Sequence, residues 1–370
     1  MNLKVRAALL TAASTLLLSS VVSAAPEVSF SGYLDADGWA DFTGKYYTNT
    51  ELDLGLAVKF SDAVSAHVYA TANGVYSKSA IGNVPAGYGK PAERWLTMNF
   101  DGFDLTYASP FGTFAVGDIV YQYGKFNYYY YKRFSMITKE SFSRGIKYSV
   151  GNDKFTQDLQ IGIADLDDFS TDVNGASSIK FSESQNVGVF YGIRGSSQLS
   201  FKEGHNFFAG VEYKGSFGDV LSLKLDVGYN SLAGEKRTNL TTFLLEPSLA
   251  FGKFTVAATA FLGLDDVDSV NTASKVFSVN DKITFNDEMF FYVEPGYTFN
   301  DYLGVGLPLE YHDPIIDTEK EAFEAFWVVP TFYIYPTENV QWWLWGQMVA
   351  PTAKDSDLGW GFGSEIIVTF

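Results

Sequence analysis

The 370-residue sequence contains no cysteine and only three histidines. Without cysteine there is no disulfide framework, no thiolate metal site and no thiol nucleophile. His67, His205 and His312 are scattered rather than set at metal-ligand spacing, and no Gly-x-Ser-x-Gly elbow is present. His312 beside Asp313 has no serine nearby to activate. No catalytic residue, metal or cofactor is therefore expected, and the chain does not read as an enzyme. Long apolar runs are absent after residue 22, which excludes a transmembrane helix in the rest of the chain. Positive charge is scarce: 26 Lys and Arg stand against 43 Asp and Glu, a net charge of −17, which makes nucleic acid a poor partner.

What is present begins with a leader. Lys4 and Arg6 precede an apolar run from Ala7 to Val22 and the small residues Ser23, Ala24 and Ala25. This is the pattern of a secretory signal peptide over residues 1–25, leaving 26–370 as one domain. Removing Lys4 and Arg6 with the leader takes the charge to about −19. Aromatic residues make up 17% of the chain, with 23 Tyr and 32 Phe beside 34 Gly, while mean hydropathy is close to zero. Such a mixture suits a shell that is apolar outside, wet inside and ringed by aromatic girdles.

The last twelve residues show the period most clearly. Trp360, Phe362, Ile366, Val368 and Phe370 fall on one side; Gly361, Gly363, Glu365 and Thr369 fall on the other, with Ser364 and Ile367 out of pattern. A period of two is a strand, and this one is long enough to cross a bilayer at a tilt. The same alternation runs through Val28–Asp37, Leu52–Phe60 and Val64–Thr71. A strand over Arg94–Tyr107, bulged at Asp101-Gly102, turns at Ser109-Pro110-Phe111-Gly112 into Thr113–Asp118. Phe155–Ile163 forms another strand, Asp165–Ser184 reads as an external loop, and Asn186–Phe201 is a weak alternating region. The C-terminal half repeats a unit: Phe243-Leu244-Leu245-Glu246-Pro247, Phe291-Tyr292-Val293-Glu294-Pro295 and Trp327-Val328-Val329-Pro330, each followed by a short turn and a rising strand. The pattern predicts an all-β fold, a transmembrane antiparallel β-barrel of about 16 strands within a range of 14 to 18. Counting Asn186–Phe201 as a further pair raises the number to about 18.

Several of these segments resemble the Gram-negative general porins, in order: Val28-Ser29-Phe30-Ser31-Gly32-Tyr33-Leu34-Asp35, the strand Leu52–Phe60, the hairpin Phe111-Gly112-Thr113-Phe114-Ala115-Val116-Gly117, and Ser143-Arg144-Gly145-Ile146-Lys147-Tyr148. The resemblance is best over about the first 160 residues. It implies a bacterial outer-membrane location among lipid and lipopolysaccharide, passage of small hydrophilic solutes, and assembly as a homotrimer. The ending Ile366, Val368, Phe370 resembles the signature read by the barrel assembly machinery. Two departures bear on the pore. Asp118 stands where the family usually carries an Arg of the constriction wall. The acidic, glycine-containing motif of the family's inward-folded third loop is replaced by Tyr121–Ser141, with Phe126, Tyr128, Tyr129, Tyr130 and Tyr131 among Lys125, Lys132, Arg133 and Lys139. Folded inward, this loop would be aromatic and basic.

A barrel of this strand number is too wide for side chains to fill, so function is expected on the lumen face. Alternation places Asp35, Asp37, Asp53, Asp158, Glu212, Asp226, Glu246, Glu294, Glu310 and Glu365 inward, against Lys59, Lys147 and Lys224. The expectation is a diffusion channel with weak cation preference. Trp39, Tyr292, Trp327, Tyr333, Trp343 and Trp345 also fall inward, which keeps open an oligosaccharide-selective channel. The alternative outside channels is a surface barrel that binds or adheres through its loops. The loop acids Asp165, Asp167, Asp168 and Asp265, Asp266, Asp268 lack the spacing of a calcium loop.

Overall fold

The structure, a computed structural model, describes residues 26–370 except 43, 45, 78–93, 122–140, 164–170, 196–204, 233–237, 266–287, 315–324 and 353–356. The signal peptide and the loop residues Lys125, Tyr128, Tyr129, Tyr130, Tyr131, Lys132 and Arg133 lie outside the described residues, as do the loop acids other than Asp265.

All regular structure among the described residues is strand. The first half comprises β1 (Glu27–Asp41), β2 (Tyr46–Lys59), β3 (Val64–Ser77), β4 (Arg94–Ser109), β5 (Gly112–Tyr121), β6 (Ser141–Gly151), β7 (Phe155–Ile163), β8 (Thr171–Ser182) and β9 (Gln185–Gly195). The second half begins with β10 (His205–Phe217), β11 (Leu221–Leu232), β12 (Thr238–Phe251), β13 (Phe254–Asp265) and β14 (Glu288–Asn300). It continues with β15 (Leu303–Gly306), β16 (Leu309–Pro314), β17 (Ala325–Val328), β18 (Thr331–Thr337), β19 (Val340–Pro351) and β20 (Gly359–Thr369).

These twenty segments make eighteen spanning strands. Both β15 and β16 pair with β14, and both β17 and β18 pair with β19. Each pair of segments is one strand whose ladder is interrupted, at Leu307-Pro308 and at Val329-Pro330, because proline brings no N–H. The chain bridges these gaps with backbone bonds from Leu307 N to Pro295 O at 3.0 Å, Val329 N to Pro308 O at 2.9 Å and Gly346 N to Pro330 O at 3.0 Å. β20 returns antiparallel onto β1, from Tyr33 opposite Thr369 to Asp41 opposite Gly361, so the sheet closes. Gly32 and Phe370 seal the seam with reciprocal backbone bonds of 2.8 and 3.0 Å.

The expected 16 strands are thus corrected to 18, and the missing hairpin is β8–β9, placed partly where an external loop was expected. Its outward face carries Val173, Ile179 and Phe181 but is broken by Gly175 and Ser177, which hides the period. The neighbouring strand fills the gap: the Tyr191 ring lies over Gly175, in the space a Cβ there would occupy.

Tight turns, including Glu183-Ser184, Gly252-Lys253 and Asp301-Tyr302, lie at the end that carries both chain termini. The strand ends that flank residues 78–93, 122–140 and 266–287 lie at the other end. The outer face presents a band that includes Phe30, Leu54, Met98, Phe100, Ile146, Ile161 and Phe362, all exposed. That is a surface made for lipid. The bulge expected in β4 is present: Tyr69 faces Gly102 and Ala70 faces Phe100, so Asp101 is the extra residue. It switches the strand's parity, so Phe100 and Phe103 both point outward and Asp104 turns inward, bonded to His67 Nδ1 at 2.8 Å.

Candidate functional site

The lumen wall is built by register. On β1, Asp35 stands opposite Glu51 of β2, and Asp37 stands opposite Glu365 of β20 and Asn49 of β2. Asp53 faces Tyr33 and Thr71, and the Thr71 hydroxyl lies 2.6 Å from the carboxylates of both Asp53 and Asp101. On both sides of β1, acid therefore meets acid, Asp37 with Glu365 across the closing seam and Asp35 with Glu51 beside it. Alternation carried through from Phe100 would turn Asp104 outward, and only the bulge at Asp101 brings it inward.

Elsewhere the carboxylates are tied to cations. Lys147 reaches Asp158 at 3.1 Å. Lys224 is the hub of a cluster, 3.2 Å from Asp226, 3.3 Å from Glu246 and 4.0 Å from Glu212, while Lys214 lies 2.5 Å from Glu212. Asp226 is almost fully buried there. Lys59 sits at the barrel mouth and is bound to Asp62 in the following turn at 2.7 Å, which holds the Asp62 carboxyl below its usual range.

Glu294 is held differently, between two phenols. Tyr292 and Tyr333 donate to its two oxygens, the latter at 2.5 Å. Gly306 makes room for this grip, since a Cβ there would collide with Glu294 Oε1. Glu310 is buried opposite Tyr292 and Trp327. Asp118 lies on the outward register with Phe114, bonded to Arg144 at 2.7 and 2.9 Å, so it does not line the lumen.

The lumen face is not uniformly wet. Phe190, Leu244, Phe261, Phe290 and Val329 point inward and are buried in one cluster with Trp327, flanked by Phe208, Tyr292 and Trp345. Glycine on the adjacent strand lets these rings lie against the wall. A Cβ at Gly210 would collide with the Phe190 ring, and one at Gly192 with the Phe208 ring. The wall from β8 to β19 thus combines an apolar, aromatic cluster with paired charges, and the strands around the seam carry an acidic face.

No protein-family model matches the chain, and no curated protein matches it in sequence. Solved structures do match its fold. OpdK from Pseudomonas aeruginosa aligns with a TM-score of 0.59 at 10% identity, covering 93% of this chain and 99% of that one. OccK3 (OpdO) from the same organism gives 0.54 at 14% identity, covering 95% and 97%. OmpT of Vibrio cholerae gives 0.54 at 13% identity over 95% and 99%, and its trimer form gives 0.52. At such identities the likeness is one of fold, and the fold is that of the porin-like bacterial outer-membrane barrels, closed here with eighteen strands.

Proposed function

We propose that the protein is an outer-membrane channel through which small hydrophilic solutes and ions diffuse passively, with a weak preference for cations. The observation that carries the preference is the acidic wall around the seam, where Asp37 faces Glu365 of β20 and Asp35 faces Glu51 of β2. An acidic face lining a water-filled tube with low-dielectric walls raises the local cation concentration. The short-turn end with both termini is the periplasmic side, as in bacterial barrels generally. Phe370, paired with Gly32, is the residue offered to the barrel assembly machinery. A homotrimer is the proposed assembly, supported by the outward Asp118–Arg144 pair, which a neighbouring barrel would shield from lipid.

The test is single-channel recording of the purified barrel in a planar bilayer. Discrete conductance steps are expected, and their absence would remove the channel reading. Under a KCl gradient at low ionic strength, where wall charges are least screened, the zero-current potential should carry the cation sign. An anion-selective potential would remove the preference alone.

A further inference from the structure

We infer that the seam of the barrel carries a stacking track for neutral saccharides, with Trp39 and Trp345 as its platforms. On β20 the inward positions Gly361 and Gly363 have no side chain, and an indole fills the space over each. A Cβ at Gly361 would stand 2.6 to 2.7 Å from Nε1, Cε2 and Cζ2 of Trp39. One at Gly363 would collide about equally with Cζ2, Cε2 and Cη2 of Trp345. The atoms met at Gly361 run along one side of the Trp39 indole and those at Gly363 along the benzo ring of Trp345, so each ring covers its glycine on the lumen side of β20.

The two platforms rest on positions i and i+2 of one strand, about 7 Å apart by strand rise. Each is fixed by a neighbour. The Trp39 Nε1 donates to Gln347 Oε1 at 3.0 Å across the seam. Trp345 packs on the apolar inward cluster. Beside them Trp343 and Tyr333 meet edge to face with centroids 5.5 Å apart, and Tyr333 in turn binds Glu294. Trp343 stands opposite Glu365, which stands opposite Asp37. Flat rings bordered by carboxylates suit a solute with an apolar C–H face and a rim of hydroxyls. The rings take the face, and the carboxylates accept from the hydroxyls. An anionic sugar would be repelled by Asp37 and Glu365, so the class is neutral.

The assignment deepens the channel reading and rests on it only in that the solute must reach the lumen. The experiment uses the full-length mature barrel and the neutral trisaccharides raffinose and maltotriose. Added to the bilayer chamber, they should interrupt the ion current in a concentration-dependent way. In detergent they should shift the tryptophan fluorescence of the barrel, a readout that needs no conductance. Trp39→Ala/Trp345→Ala should raise the half-effective concentration at least about tenfold, the loss expected for two stacking contacts. Gly363→Ala, which pushes the Trp345 ring off its seat, should raise it as well with open-channel conductance intact. Trp342→Ala removes an outward indole bonded to Ser364 and should leave it unchanged. A conducting channel with neither block nor fluorescence shift would overturn the inference while leaving the channel standing. So would a double variant that responds like the native protein, or tetraethylammonium acting at lower concentration than either sugar, which would mark an organic-cation site. If no conductance appears, the fluorescence titration alone decides.

Discussion

Asp118 and Arg144 are two charges on a face that should carry none. Asp118 is the sixth residue after Gly112, which at strand rise and barrel tilt puts it about 15 Å above the short-turn end, near the middle of the apolar band. Its carboxylate takes two bonds from Arg144 and one from the Phe103 N–H at 3.1 Å. Gly102, at φ 143°, allows that approach, since a Cβ there would lie 2.6 Å from Asp118 Cβ. The guanidinium is 5.9 Å from the centroid of the Phe103 ring, a cation–π contact. Removing one partner strands the other in lipid. Arg144→Leu is therefore expected to destabilise the barrel by about 2–4 kcal/mol, while Asp118→Val/Arg144→Leu should recover most of the loss. Urea unfolding of the refolded barrel in lipid checks both, and equal stability of the single variant and the native protein would refute the argument. If a neighbouring barrel covers this pair, cross-linking of the native protein in detergent should give a trimer band that weakens in the double variant.

At the scale of the strand, the seam is the element on which closure depends. The Phe370 ring lies over Gly32 on the outer face, in the space a Cβ there would fill, and the two residues exchange backbone bonds. Gly32→Val should displace the ring and slow closure without touching the lumen. The expected result is a smaller fraction of folded barrel in the outer-membrane fraction, read from the band that survives on unboiled gels, with the deletion of Phe370 more severe. Strands such as β1 and β20 were legible because each keeps one apolar face. The hairpin β8–β9 was not, because Gly175 and Ser177 leave holes in that face, and Tyr191 of the next strand covers the one at Gly175. The proline-bearing repeats were legible as strands. That Pro308 and Pro330 each split a strand without ending the span appears only once the backbone bonds across the gaps are traced.

The whole molecule gains its stability from a ladder without edges, since every spanning strand has a neighbour on both sides. Such a barrel should stay folded in detergent at room temperature and migrate anomalously until boiled, and a single heat-independent band would contradict closure. Selectivity is also a property of the whole lumen, because the charges nearest the narrowest point count most. If residues 122–140 reach into the lumen, Lys132→Glu/Arg133→Glu should move the zero-current potential further toward cations, whereas an unchanged potential would show that this segment does not reach the pore.

Alternation by itself determined that the chain is all-β, that its strands are long enough to span a bilayer, and which face of most strands is apolar, because parity is a local property of the extended backbone. It also placed Asp35, Asp37, Asp53, Lys147, Asp158 and Glu365 on one face and Asp118 on the other. Only the tertiary structure decided the number of strands, that Asp35 faces Glu51, that Lys224 gathers three carboxylates, that two tyrosines hold Glu294, and that Trp39 reaches Gln347. The meetings within the wall depend on the register of neighbouring strands, and the last depends on the shear with which the sheet closes. Shear is set by the sum of all the strand registers, so it brings residues 39 and 347 together across a seam that no stretch of sequence contains.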